Sequence, residues 1–318
     1  MKPMRLPSSP RRERGAALLT AMIIVALVAT LAAAMVWQQW RAVQVEAAER
    51  ARAQSAWILT GARDFAGLIL KEDFKGGRNI TALTEPWALP LQEARLSTFL
   101  AVDKANSDDA PEAFLSGNIT DAQARFNLRN VVGTPGKVNQ EALKTLERLC
   151  ETAGLDGSIA SRIAAGLVLA IGSPPSAGAP LEPKTVAQLT WLGIDAAAAT
   201  ALSPYVVLLP EATKVNVNTA SKEVIAAVAN IDSGSAGRLV QLRQRAPFKT
   251  TAEFDTQAGT SATPLTNIDV RSNFFEVRGS LRLADHVLTE RSLGRRGPNG
   301  VFTAFQRERI AGLDQTGK

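Results

Sequence analysis

Arg14-Gly15-Ala16-Ala17-Leu18-Leu19-Thr20 opens the stretch on which the fold turns. Ahead of it, Lys2, Arg5, Arg11, Arg12 and Arg14 oppose a single acid, Glu13. Behind it, Ala16 to Trp40 runs for 25 residues without a charge. About twenty apolar residues suffice to cross a bilayer as a helix, and clustered Lys and Arg hold that end in the cytoplasm. A secretory signal has a shorter apolar core, with its small-residue cleavage site after that core. Here the small residue, Gly15, stands before the apolar run. Cutting after Gly15 removes the basic leader and keeps the hydrophobic helix in the mature chain. A plain N-terminal anchor that is never cut is the alternative.

The same seven residues resemble a type IV prepilin peptidase site, which implies cleavage between Gly15 and Ala16 and N-methylation of Ala16. Most pilins carry Glu at the fifth mature position, where it pairs with the N-terminus of a neighbouring subunit. Position five is Thr20 here, a substitution that within the pilins points to the minor pseudopilin K of type II secretion.

Composition bounds the rest. The chain of 318 residues is long enough for two or three domains, and 46% hydrophobic with 21% charged is globular composition. The net charge of +6 is misleading, because the leader supplies four of these and leaves +2 for the chain after Gly15. A single cysteine, Cys150, excludes an internal disulfide and reads as a small buried hydrophobe in a helical pattern.

The N-terminal helix is expected to continue past the membrane. No proline occurs between Arg41 and Glu72, and Gly76-Gly77 ends the run. Trp57, Ile58, Phe65, Leu68 and Ile69 recur at helical spacing and predict one apolar face against a globular head. Glu46 and Arg50 decorate the other side. A free-standing coiled coil is disfavoured, since the stripe is too short for sustained heptads.

In the head, Ile119 to Asn130 reads as a short strand bounded by turn formers. Helical patterns follow at Glu141–Cys150, Ile159–Ala170 and Thr185–Leu192, around a Ser/Pro/Gly loop at 173–180. A second helical unit runs from Val215 to about Phe254. Strand composition returns at Phe274–Leu283 and Val301–Phe305. Strand, many helices, then strands again implies a helical block inserted into a small sheet domain that the long helix backs. The fold class is α+β. The ranges are a leader at 1–15, a transmembrane helix at 16–40 and its periplasmic continuation at 41–75. The first part of the sheet domain spans 76–137, the inserted units span 138–214 and 215–266, and sheet completion spans 267–318.

Three segments carry a more specific resemblance. Ala124-Arg125-Phe126-Asn127-Leu128, Val215-Asn216-Val217-Asn218-Thr219-Ala220-Ser221 and Ser272-Asn273-Phe274-Phe275-Glu276-Val277 resemble, in order, signature segments of the pseudopilin K (general secretion pathway protein K) family. With the cleavage motif, the match spans nearly the whole mature chain. The resemblance implies that the two inserted units are SAM-like. It also implies a complex with the I and J minor pseudopilins at the tip of the secretion pseudopilus, supporting export of folded proteins. Other pseudopilus subunits, the prepilin peptidase and inner-membrane lipid are the remaining implied partners. The implied location is a single pass through the inner membrane of a Gram-negative cell, N-terminus cytoplasmic and head periplasmic.

The segment from Val215, with Arg243, Pro247, Phe248 and Phe254, also resembles the helix-hairpin-helix of membrane-tethered DNA receptors of competence type. In that module a Gly-hydrophobic-Gly hairpin aims backbone N–H groups at a phosphate. The hairpin here, Asn230 to Ala236, lacks that pattern, and Asp232 puts a negative charge where phosphate would approach. Lys214 to Asp255 nets only +2, so counterion release contributes little and no nucleic-acid partner is expected.

Catalysis finds little support. One His, His286, and one Cys cannot assemble a Cys/His pair or a His-based metal site. Gly133-Thr134-Pro135-Gly136-Lys137-Val138 mimics a phosphate loop but lacks its spacing and its Ser/Thr, and reads as a turn. Asp103, Asp108, Asp109 and Glu112 form an acidic, loop-like cluster without an EF-hand pattern. It is a calcium candidate, with a solvated acidic loop as the commoner alternative. The expectation is a structural assembly protein with no catalytic residues and no cofactor, calcium excepted.

Overall fold

The computed structural model describes residues 14–77, 79–96, 113–133, 136–171, 178–283 and 286–310. Asp103, Asp108, Asp109 and Glu112 lie outside them. The chain divides into two units, Met1–Trp57 and Ile58–Lys318.

In its described residues the first unit is helix alone, the beginning of α1 (Arg14–Lys75). Ala16 through Arg50 are exposed throughout, and for the uncharged part up to Trp40 that suits a segment whose solvent is lipid or neighbouring helices. Arg50 and Glu46 pair at 2.7 Å, the expected i,i+4 decoration.

The second unit starts with the last turns of α1, which lie on a sheet. Gly77, at φ +69°, takes the left-handed conformation that closes the helix after Lys75. Among the described residues five antiparallel strands form the sheet: β1 (Leu91–Arg95), β2 (Ala113–Asp121), β7 (Phe274–Leu283), β8 (His286–Arg296) and β9 (Phe302–Ile310), in that spatial order. The other elements lie between β2 and β7. They are β3 (Phe126–Asn127), α2 (Gln140–Thr152), α3 (Ser158–Ile171), α4 (Ala196–Leu202), β4 (Val206–Val207) and β5 (Val215–Asn216), followed by α5 (Lys222–Ala229), α6 (Ser233–Arg245), α7 (Thr251–Ala258) and β6 (Ile268–Asp269). The strands that flank this excursion are direct ladder neighbours, with Asp121 opposite Phe275.

Each helical unit of the block is closed by a two-residue parallel bridge. β3 pairs with β4 around the first unit, and β5 with β6 around the second. The two units share one hydrophobic core running from Phe126 and Leu128 through Leu146, Ile163, Val224 and Phe254 to Val270. Arg148 Nε on α2 donates to Ala227 O on α5 at 2.8 Å, tying one unit to the other. Cys150 is fully buried in this core, and burial pushes its thiol up to about 11.

Four local readings need correcting. Of the five residues expected on the buried face of α1, Ile58 and Ile69 pack, whereas Phe65 is 51% and Leu68 56% exposed, and Trp57 is exposed too. The contact is made instead by Leu59, Ala66 and Leu70. Small residues on both sides bring the backbones close: a Cβ on Gly279 of β7 would stand 3.4 Å from Leu59 Cδ2. A pattern keyed to large side chains therefore picked the outward stripe. The strand expected over 119–130 stops at Asp121, whose carboxylate accepts from Gln123 N and caps a 3₁₀ turn at Ala122–Ala124. Val186–Leu192 is 3₁₀ rather than α, entered through a capping box of Thr185 and Gln188. β1 and β8 were not expected, and α4 lies in the stretch 139–209 whose sequence reads as helical without being singled out there. Strand β8 turns Glu290 and Ser292 to its buried side, which erases the apolar alternation that would have revealed it.

Candidate assembly site: a buried polar junction and an exposed helix face

Asp121, at the end of β2, is the hub of the junction between sheet and helical block. Its carboxylate, almost wholly buried, accepts from Ser272 Oγ at 2.5 Å, Thr219 Oγ1 at 2.6 Å, Gln123 N at 2.8 Å and Asn216 Nδ2 at 2.9 Å. Burial raises its pKa, and these four hydrogen bonds pull against that rise. Asn216 shares its amide further with Thr81 O and Ser272 Oγ, each at 2.9 Å, while its Oδ1 accepts from Asn218 N. Thr81 Oγ1 accepts from Ser272 N at 3.1 Å. Residues far apart in sequence thus meet at one carboxylate.

The three sequence signatures all resolve into this joint. Arg125 pairs with Glu276 at 3.0 Å, and Phe126 and Leu128 enter the helical core. Asn127 Nδ2 donates to Glu211 O at 2.7 Å, and its Oδ1 accepts from Leu209 N, so it staples the return of the first unit. Asn218 clamps Phe248 through both its N–H and its C=O, at 2.9 Å each. Ser221 caps α5, accepting from Val224 N. Asn273 N and Phe274 N both donate to Gln123 Oε1 as the chain re-enters the sheet. Phe275 then meets the Trp87 ring edge-on, with centroids 5.4 Å apart. These segments are structural staples. Asp121, Thr81 and Arg296 belong to the same network but escape a sequence reading, since nothing in spacing marks a lone buried polar residue.

The helix-hairpin-helix features serve the same internal ends. Asp232 caps α6, accepting from Ser235 N at 2.9 Å, so a carboxylate occupies the helix N-terminus that a phosphate would use. Arg243 is buried and donates to Val217 O, and burial lowers its pKa to about 10. Phe248 and Phe254 stack edge-to-face in the core. Gly133 N donates to Lys137 O, and Gly136 takes φ +78°. His286 begins β8. Among the described residues no cluster of three or more acidic, His or Cys side chains is placed to hold a metal.

Outside the junction, α1 from Ile58 onward exposes two large apolar side chains, Phe65 and Leu68, beside the charged Asp64, Glu72 and Lys75. Beside Phe65 opens a groove of about 240 Å³, lined by Leu59, Ala66, Trp87, Leu89, Leu115 and Ile119. Leu89 at its rim is 73% exposed. In the first unit, Gly15 and Ala16 lie within α1. Thr20 Oγ1 donates back to Ala16 O at 2.8 Å and Ala17 O at 3.1 Å.

A long apolar N-terminal helix that runs into a small antiparallel sheet, with a two-part helical block between adjacent strands, defines a pseudopilin-type subunit. Residues 124–211 and 215–273 match the two family models described as type II secretion system protein K. The chain is 30% identical to the type II secretion system protein K of Klebsiella pneumoniae, covering 77% of this chain and 80% of that one. It is 28% identical to its counterpart in Pseudomonas aeruginosa, covering 94% and 93% respectively. The chain belongs to the type II secretion system protein K family. Its fold matches a chain in the crystal structure of the GspK–GspI–GspJ complex from enterotoxigenic Escherichia coli. That match has a TM-score of 0.63 at 19% identity over 83% of this chain and 99% of that one.

Proposed function

We propose that this chain is a minor pseudopilin that joins the I and J minor pseudopilins at the tip of the type II secretion pseudopilus. It is anchored by a single pass in the inner membrane, N-terminus cytoplasmic and head periplasmic. The observation that carries the reading is a pair of large apolar side chains left exposed on α1 beyond Ile58, among the charged Asp64, Glu72 and Lys75. Leu59, Ala66 and Leu70 are spent on its own sheet, whereas Phe65 and Leu68 remain about half exposed. A second helix laid across those two side chains would bury them. The related complex, which contains a GspI and a GspJ chain, supports that kind of partner.

Two features favour the tip. The helical block would obstruct a subunit stacked above. A subunit above would also present a charged N-terminal amine, and a buried charge needs a partner. Thr20 offers none, since its hydroxyl is already turned back onto its own helix.

The soluble head from about Arg41 onward should co-purify with the heads of the I and J pseudopilins and show no salt-dependent affinity for duplex DNA. Phe65→Arg with Leu68→Arg should abolish co-purification while moving folding stability by no more than about 0.5 kcal/mol per site, the usual range for surface changes. Undiminished co-purification, or micromolar DNA binding, would overturn the reading.

Processing is a separate expectation. With an active prepilin peptidase, intact mass should show a chain beginning at N-methylated Ala16, and Gly15→Leu should block that cut. A chain that retains Met1 beside active peptidase contradicts it.

A further inference from the structure

The apolar run of α1 is matched to a bilayer with an interfacial anchor at one end. Ala16 to Val36 rises by roughly 31 Å at 1.5 Å per residue, against a hydrocarbon core of about 30 Å. Two polar side chains interrupt that run, Thr20 and Thr30. Both hydroxyls are satisfied inside the helix, Thr20 on Ala16 O and Thr30 on Leu27 O at 2.9 Å, so neither needs water.

Directly after the run come Trp37 and Trp40, three residues apart and on one side of the helix. Their ring centroids lie 5.7 Å apart, and the residues are 61% and 57% exposed. Gln38 and Gln39 sit between them, and Arg41 is the first charge since the leader. Indoles favour the level of the lipid headgroups, where the ring is half in hydrocarbon and the N–H finds a polar partner. Beyond Arg41 the helix carries Glu46, Glu49, Arg50 and Arg52, which belong in water.

We propose that Trp37, Trp40 and Arg41 form a phospholipid-interface anchor that sets the depth at which α1 rides in the membrane. The occupant of this surface is the headgroup layer of the outward-facing leaflet. The inference rests on the reading of α1 as membrane-spanning. A subunit leaving the bilayer for a fibre has to withdraw both indoles from that layer.

The test uses the full chain in vesicles of phosphatidylethanolamine and phosphatidylglycerol. The fluorescence difference between wild type and Trp37→Leu/Trp40→Leu isolates the two indoles from the three other tryptophans. Lipids brominated near the headgroup should quench that difference signal strongly, and lipids brominated near the chain ends should not. Gln39→Cys, read with a membrane-impermeant maleimide, should lose labelling several-fold when both tryptophans become leucine, because the lengthened apolar run sinks further. Cys150, buried with its thiol pushed up to about 11, stays silent in this assay. Deep quenching, no quenching, or unchanged Gln39→Cys labelling in a chain that resists carbonate extraction would overturn the anchor alone. A chain that carbonate strips from the vesicles would instead overturn the spanning reading beneath it.

Discussion

Replacing Arg296 by methionine is expected to remove about 3–5 kcal/mol of folding free energy, seen as a lowered urea midpoint with an unchanged slope. Arg296 Nη1 lies 3.2 Å from Asp73 Oδ2, with the two side chains only 6% and 8% exposed. Its Nη2 donates to Ser272 O at 3.0 Å and lies 3.4 Å from Thr81 Oγ1. The guanidinium also covers the ring of Phe275 at 4.9 Å from its centroid. A single side chain of β8 therefore grips the last turns of α1, the loop that follows and the return of the helical block. Burial lowers its pKa, and Asp73 counters that by favouring the charged form. Methionine preserves most of the volume but leaves the buried Asp73 carboxylate without this guanidinium. Adding Asp73→Leu should recover most of the loss, since replacing a buried ion pair as a whole by apolar groups is close to neutral. A double variant no more stable than Arg296→Met would locate the loss in the contacts to Ser272 and Thr81 instead.

Asp121→Ala is expected to cost at least about 3 kcal/mol, because it strands several buried donors at roughly 1–3 kcal/mol each. The pH dependence carries a distinct signature. Burial places the folded pKa of Asp121 above its unfolded value. A raised acid contributes its stability fully below the unfolded pKa and loses it as pH rises through the folded pKa. The wild type should therefore weaken relative to Asp121→Asn as pH climbs from the unfolded carboxyl range through that raised value, and run parallel to it above. Urea midpoints of both proteins from acid to neutral pH decide this, and a gap that never changes would refute the raised carboxyl.

What was legible in the sequence follows from which physics leaves a period. The N-terminal apolar run, the C-terminal end of α1 and strand Phe274–Leu283 are set by long apolar patterns and by Gly76-Gly77, and these read directly. The helices at 140–152 and 158–171 were legible as the helical patterns at 141–150 and 159–170, whereas the Asn139 cap of the first is seen only in the structure. The junction did not, because a polar network has no repeat. Asp121, Ser272 and Thr81 look like surface residues until tertiary structure buries them. The signatures around Asn127, Asn216 and Asn218 could be recognised as segments, but their chemistry became visible only as side chains reaching backbone partners 84, 135 and 30 residues away. The packing face of α1 misled for a related reason. Close approach at the Gly279 crossing depends on small residues, which carry almost no hydrophobic signal, while the large Phe65 and Leu68 stay about half exposed.

The placement of Asp121 opposite Phe275 has a kinetic consequence. Taken as a flexible loop, the roughly 150 residues between these ladder partners would make β2–β7 pairing a slow, high-contact-order event. The helical block changes the arithmetic. It has its own apolar core, and its parallel bridges bring the start and finish of each unit together. Once it has collapsed, its two ends stand about one strand spacing apart, roughly 4.8 Å, and β2 and β7 meet as if joined by a hairpin turn. This topology predicts a folding order in which the block nucleates first and the sheet zips behind it.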